Sequence, residues 1–293
     1  MSSSSRGLAV FPEGEEVTNE WGSCWVFTYD VDLAIPHLRE FYELDCYLQA
    51  VRGIGPVREE KLNSEGVYTI SGLVKTCKNE SLLEDASLAY RAISNKDWPT
   101  IFKRFPKFTV LGSVPRDKIA VVDIETSGFG FAMPIFLVGI LTLNPAPLVK
   151  LFLARHPAEE PAMLQQASSE LSDKLAVITY NGASFDLPVM TKRCIRSDVA
   201  FTKPLNLDLL PIVRRLLGKE VPDCKLKTIE KLILKYERDK DPASSEIPAI
   251  YQQFFMEQDP SVLTDVISHN KVDLESLIKI WSYLDERDRN NGF

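Results

Sequence analysis

Positive charge is in short supply: 34 Lys and Arg stand against 41 Asp and Glu, a formal net charge of -7. A protein that coats nucleic acid by bulk charge needs a basic surface, so any phosphate contact must use local patches. The five cysteines, Cys24, Cys46, Cys77, Cys194 and Cys224, include no C-x-x-C pair, and their odd number cannot complete a disulfide framework. A reducing cytoplasm is the expected location. Only His37, His156 and His269 are present, without an H-x-D or H-E-x-x-H pattern, which excludes a mononuclear iron or zinc enzyme for want of ligands. Neither a P-loop nor a G-x-S-x-G elbow occurs. Long apolar runs are missing too. The charge-free stretch between Glu125 and Lys150 is broken by Pro134, Asn144, Pro145 and Pro147, leaving Ile135 to Leu143, well short of the roughly 20 residues that cross a bilayer. A buried strand is expected there. Residues 1–7 are a polar serine run, and the apolar stretch Leu8 to Phe11 is too short for a signal peptide.

What is there describes an ordinary globular chain of 293 residues, 45% hydrophobic and 26% charged, sized for two domains. Residues 1–20 read as a flexible tail. Trp25 to Val31 alternates like a short strand, and residues 35–95 read as short amphipathic helices broken at Gly53 to Pro56, Glu65-Gly66 and Lys78-Asn79, with Thr69 or Ser71 as a helix cap. Residues 21–95 are therefore expected to form a strand plus a helical domain, and the proline-broken 96–117 a linker. From Lys118 the period shortens to apolar runs at Ile119 to Ile124, Ile135 to Leu143 and Leu148 to Leu153. A helix from Pro161 to Leu175, a strand from Ala176 to Tyr180 and mostly helices after Leu187 complete the pattern. The expectation is α/β: a mixed sheet flanked by helices over 118–286, preceded by a small mainly helical domain.

Three segments carry chemistry. Asp123 and Glu125 end the first strand, and residues two apart on a strand share a face, so two carboxylates converge. Two acids side by side repel and lose hydration, a cost that a divalent cation relieves. Thr179 to Asp186 runs from strand through turn to helix and sets Asp186 at a sheet edge, where it would also suit a helix N-terminus. His269 and Asp273, four apart, share one face of a helix. A lone D-x-E is ordinarily just the end of a strand, and a lone His–Asp pair is ordinarily a surface ion pair. Their order changes this: D-x-E, then N-x-x-x-F-D, then H-x-x-x-D.

That order resembles the DEDD exonucleases of the ribonuclease-H-like superfamily, over about Lys118 to Leu284. The spacing Asn181-x-x-x-Phe185-Asp186 and the four-residue step to Asp273 are similar to the proofreading domain of family-B DNA polymerases, where tyrosine usually stands in the place of His269. Leu207 to Leu210, Arg214-Arg215, Cys224 to Leu226, Ile247-Pro248-x-x-Tyr251 and His269-Asn270-x-x-Asp273-x-x-Ser276-Leu277 resemble the YprB-like branch of these domains. The resemblance implies a metal-dependent nuclease, a 3′-5′ exonuclease on DNA or RNA. Asp123 would bridge two divalent ions about 4 Å apart, Mg²⁺ or Mn²⁺, with Glu125 and Asp273 completing one site and Asp186 the other. His269 would position or deprotonate the attacking water. Asn181 and Phe185 would shape the turn and wedge against substrate or core. Asp208 reads as a structural cap for the apolar helix Leu209 to Leu217.

Val51 to Leu62 with Glu65 to Thr69 resembles a helix-hairpin-helix motif. Gly53 and Gly55 allow a tight hairpin whose backbone N–H groups would hold a phosphate without reading bases, and Arg52, Arg58 and Lys61 add local positive charge. The same segment also reads as a glycine turn between packed helices. Three functions follow in order: a two-metal 3′-5′ exonuclease, a non-catalytic nucleic-acid-binding or scaffold protein, and a structure-specific endonuclease on the same fold.

Overall fold

The structure, a computed structural model, describes residues 8–36, 41–128, 130 and 133–291. Contacts divide it into two units, one made of 1–36 with 116–293 and the other of 37–115. The first unit begins with the hairpin β1 (Glu15–Asn19) and β2 (Gly22–Asp30). Residues 15–19 are thus a strand, not tail. Phe11 explains why: its ring lies 5.8 Å from Trp25, 5.3 Å from Phe27 and 5.8 Å from Phe254, so the leading segment is sealed onto the sheet by aromatic burial. The serine run at 1–7 lies outside the described residues.

The second unit is helical: α1 (Phe41–Asp45), α2 (Pro56–Ser64), α3 (Ile70–Thr76), α4 (Glu80–Ser94), α5 (Trp98–Arg104) and α6 (Lys107–Ser113). Thr69 caps α3 as expected, accepting a hydrogen bond from Gly72 N. The stretch expected to be a linker holds α5 and α6. Two of its three prolines stand at helix starts, Pro99 in the first turn of α5 and Pro106 ahead of α6, where a missing N–H leaves no bond unmade, and Pro115 follows the end of α6. Ile101, Phe102, Phe108 and Leu111 then bury the inner faces of both helices.

In the first unit the chain continues with β3 (Ile119–Thr126), β4 (Ile135–Thr142), β5 (Leu148–Leu153), α7 (Glu160–Leu171), β6 (Ala176–Thr179), α8 (Asp186–Arg196), β7 (Leu205–Asp208) and α9 (Leu209–Leu217). It ends with α10 (Leu226–Ile229) running into a π turn at Glu230–Leu234, then α11 (Ile247–Glu257) and α12 (Thr264–Asn291). Among the described residues the strands form one seven-stranded sheet, β1-β2-β5-β4-β3-β6-β7. β2 pairs antiparallel with β5, so the strand expected to open the helical domain is part of this sheet instead. β3 pairs antiparallel with β4 and parallel with β6, which makes the sheet mixed. β7 has no counterpart among the expected elements; four residues long, it offers too few positions for alternation to show. All eight residues of β4 are buried, in keeping with the apolar run. No described helix is long and apolar enough to cross a membrane.

Alternation along β3 sorts its side chains between two layers. Ala120, Val122 and Ile124 enter the core under α7 and α8, while Asp123 and Glu125 face the other way, toward α12. Gly139 of β4 sits directly across from Asp123 in the antiparallel register. A Cβ there would stand 2.0 Å from Asn270 Oδ1 and 2.8 Å from Leu274 Cδ1, so α12 reaches the sheet only because position 139 has no side chain. Gly139→Ala is expected to lower the free energy of unfolding by about 1–3 kcal/mol through overpacking, measured by urea denaturation. Wild-type stability in that variant would mean α12 does not need the close approach.

Candidate active site

β3 supplies two acids from one face, and α12 brings a third acid and the histidine against them. His269 and Asp273 lie one turn apart, with His269 Nε2 3.7 Å from Glu125 Oε1 and 3.6 Å from Asp273 Oδ2. A bulge between Glu125 and Thr126 ends the regular register beside the site. These residues line a cavity of about 270 Å³, together with Phe185 and, from another part of the chain, Ser244, Ile247 and Pro248. Asp186 opens α8 behind the strand and is buried, its Oδ1 accepting from Ile124 N at 3.2 Å. One of the four expected acids is therefore tied to the backbone of the strand that carries two others.

The 181–186 turn has its own reasons. Asn181 adopts a left-handed backbone, φ 68°, a conformation that asparagine tolerates better than most residues. Asp208 holds this turn by accepting from Asn181 N at 2.8 Å and Ala183 N at 3.1 Å, and it caps α9 by accepting from Leu210 N at 3.0 Å. It is a structural carboxylate, as the sequence indicates. Phe185 is half-buried, packed on the core on one side and facing the cavity on the other.

Five side chains at or beside the site have no role in the motif reading. Asn270, fully buried, donates from Nδ2 to Asp123 Oδ2 at 2.7 Å. Asp241 contacts His269 Nδ1 closely, and Lys227 pairs with Asp241. Arg238 bonds Asp273 and buried Glu230. Gly139, lone in an apolar strand, is the sequence signal that could have pointed to Asn270, because such a glycine marks close approach of another segment. Arg238, Glu230 and Asp241 lie in irregular sequence with no motif to mark them.

Burial dominates the electrostatics. It pushes the Asp123 carboxyl well above the usual carboxylate range, with the charges of Asp273, Asp186 and Glu125 adding to the shift and Arg238 opposing it. Glu125 is raised in the same way, by burial and then by Asp273 and Asp186, against a hydrogen bond from Asn270. Burial pushes Asp186 up to about 7, against backbone hydrogen bonds from its own N–H and that of Ile124. Asp273 is raised by burial, with His269 and Arg238 pulling the other way. Clustered carboxylates whose proton affinity is raised by burial form an all-oxygen donor set suited to a hard divalent cation. Among the described residues no group of three His, Cys, Asp or Glu side chains is already placed to hold a metal ion, so the fit lies in the donor chemistry, not in a preformed cage.

The residues of the expected helix-hairpin-helix belong to the other unit. Gly53 has φ 85° and Gly55 precedes the first turn of α2, as a tight hairpin requires. Arg58 Nη1 donates back to Gly53 O at 3.2 Å, Lys61 stands 3.9 Å from Glu65, and the Arg52 side chain is exposed.

Sheet order, helix placement and acidic cleft together define a ribonuclease-H-like α/β protein. The family model described as RNase_H superfamily matches residues 120–285, and the chain belongs to that superfamily. The uncharacterized protein YprB of Bacillus subtilis (strain 168) is 32% identical over 178 residues, which cover 59% of this chain and 43% of that protein. This chain thus matches less than half of its curated relative's length. The family B DNA polymerase of the hyperthermophilic archaeon Pyrobaculum calidifontis aligns at 16% identity and TM-score 0.44, over 59% of this chain and 25% of the polymerase chain. Brucella melitensis NrnC bound to pGG aligns at 16% identity and TM-score 0.29, over 58% of this chain and 84% of NrnC.

Asp186 binds its proton more tightly in the folded chain than in the unfolded one. Its contribution to stability is fully present below the ordinary carboxylate range and is lost as pH rises through about 7. In chelator, the melting temperature should therefore fall between pH 5 and pH 8, and Asp186→Asn should be more stable than wild type at pH 8 by about 1–2 kcal/mol. Parallel melting curves for the two proteins across that range would contradict a strained, uncompensated acid at this position.

Proposed function

We propose that this chain is a metal-dependent nuclease that hydrolyses phosphodiester bonds of DNA or RNA, as a DEDD-type 3′-5′ exonuclease. Asp123, Glu125, Asp186 and Asp273 would hold two divalent cations, Mg²⁺ or Mn²⁺. What carries the reading is that Asp123, Glu125, His269 and Asp273 line one cavity, with Asp186 bonded to the same strand, inside the region that matches the RNase_H superfamily. When bound, the cations would supply neutralising charge for the phosphate and a lowered pKa for the attacking water.

The chain's own residues set the remaining chemistry. Asn270 holds Asp123 through Oδ2, and Oδ1 would then be the ligand atom. His269 has Nδ1 turned to Asp241 and Nε2 turned to Glu125 and Asp273, so Nε2 is the nitrogen available to orient or accept the proton of a nucleophilic water. Phe185 gives the cavity an apolar wall against which a base can stack. In the other unit, Arg52, Gly53, Gly55, Arg58 and Lys61 would bind phosphates of the same nucleic acid without base selection.

End-labelled single- and double-stranded DNA and RNA, incubated with Mg²⁺ or Mn²⁺, test the reading directly. Wild type should shorten one of these substrates from its 3′ end, and Asp123→Ala should lose activity on the order of 10³-fold or more. Equal products from both proteins would leave a nucleic-acid-binding scaffold as the function. Products cut internally would make the protein an endonuclease on the same fold. Arg52→Ala combined with Lys61→Ala should raise KM severalfold with kcat unchanged, and more so as salt is lowered. An unaltered KM would remove the hairpin from the substrate path.

A further inference from the structure

Arg238 is buried among carboxylates next to the proposed metal ligands, and nothing in the nuclease reading uses it. Its side chain is 7% exposed. Nε donates to Glu230 Oε2 at 2.9 Å and Nη2 to Glu230 Oε1 at 2.5 Å, a two-pronged bond to an acid that is itself 1% exposed. Nη1 donates to Asp241 Oδ1 at 3.1 Å and lies 3.3 Å from His269 Nδ1. The second hydrogen of Nη2 goes to Asp273 Oδ1 at 2.5 Å.

The supports of this guanidinium are themselves fixed. Glu230 begins the π turn and accepts from Ser276 Oγ, and Ser276 is buried three residues beyond Asp273 on the same helix. The motif residue Ser276 thereby acquires a role: it holds the acid that holds the arginine. On the far side, Lys227 pairs with Asp241. A movable plug would need few bonds, whereas Arg238 has four partners in place, three of them carboxyl groups. Its geometry is that of a fixture.

We infer that Arg238 is a positioning residue of the site. Held by Glu230, Ser276 and Asp241, it fixes Asp273 through Oδ1 and so turns Oδ2 toward His269 Nε2, beside Glu125, as the oxygen offered to a divalent cation. A rigid fork imposes this on a carboxylate in a way that a flexible ammonium does not. The inference rests on the nuclease reading only in taking Asp273 as a metal ligand.

The test uses the full chain, Mn²⁺ alone as the binding probe in calorimetry, and oligonucleotide hydrolysis as a second readout. Arg238→Lys keeps the charge and loses the fork. It should stay folded by circular dichroism, bind Mn²⁺ about 10–100-fold more weakly, and lower kcat at saturating Mn²⁺ while KM for the oligonucleotide is unchanged. Activity of Arg238→Ala should recover when millimolar guanidinium is added. Should both arginine variants fail to fold, Ser276→Ala, which only loosens Glu230, carries the same expectation at smaller amplitude. Folded variants with wild-type Mn²⁺ affinity and kcat would reduce Arg238 to a structural ion pair. Tighter Mn²⁺ binding would make it a competitor for the cation's place, and either result overturns the inference alone. A wild-type chain that binds no Mn²⁺ overturns the nuclease reading, and this inference with it.

Discussion

α12 lies against the sheet over Gly139, and the site depends on that single close approach. Asp123 and Gly139 face each other across the β3–β4 ladder, so the gap left by the glycine opens directly beside the first acid. Asn270 fills it and bonds Asp123, and the helical period then puts His269 and Asp273 around the same cavity. Two carboxylates from a strand and one from a helix, distant in sequence, are placed by packing of backbone against a small residue. Asn270 pays part of this arrangement, because its Oδ1 has no hydrogen-bond partner in the described structure.

Packing these acids together works against folding. Burial removes water from Asp123, Glu125, Asp186 and Asp273 and raises the proton affinity of each, and repulsion from neighbouring acids adds to it, from Asp273 on the first three and from Glu230 on Asp273. The compensation is uneven. Arg238 and His269 stand on the Asp273 side, whereas Asp123 has a neutral amide and Asp186 has backbone N–H groups. A cleft with buried acids lacking a cationic partner on one side and a fixed cation on the other is asymmetric before any ligand enters. Such sites trade stability for binding, which is why a neutral substitution in them so often stabilises a fold.

The three acid motifs were readable because each is local: a two-residue strand period, a strand-to-turn-to-helix transition, and a four-residue helical step. The sheet of the first unit was readable from β3 to β6 because its strands are largely apolar runs bounded by turn residues. Residues 8–30 were harder to read, since β1 is polar and partly exposed and its membership depends on Phe11 reaching aromatic partners as distant as Phe254. The helices at 98–113 were hidden by prolines that start helices as readily as they break them. Asn270 stood within a motif, but its role depends on Gly139, which the sequence separates from it by more than a hundred residues.

The sequence by itself determined the class of fold, the shared strand face of Asp123 and Glu125, the shared helix face of His269 and Asp273, and the structural duty of Asp208, because short-range periods and caps dictate those features. Tertiary structure decided which charges the acids meet. Glu230, Arg238 and Asp241 carry no pattern of their own, and they meet Asn270 and the acids only when the π turn, the segment after it and α12 are folded against one face of the sheet. Coulomb interactions act through space without regard to chain order, so the partners of a buried charge are settled by packing.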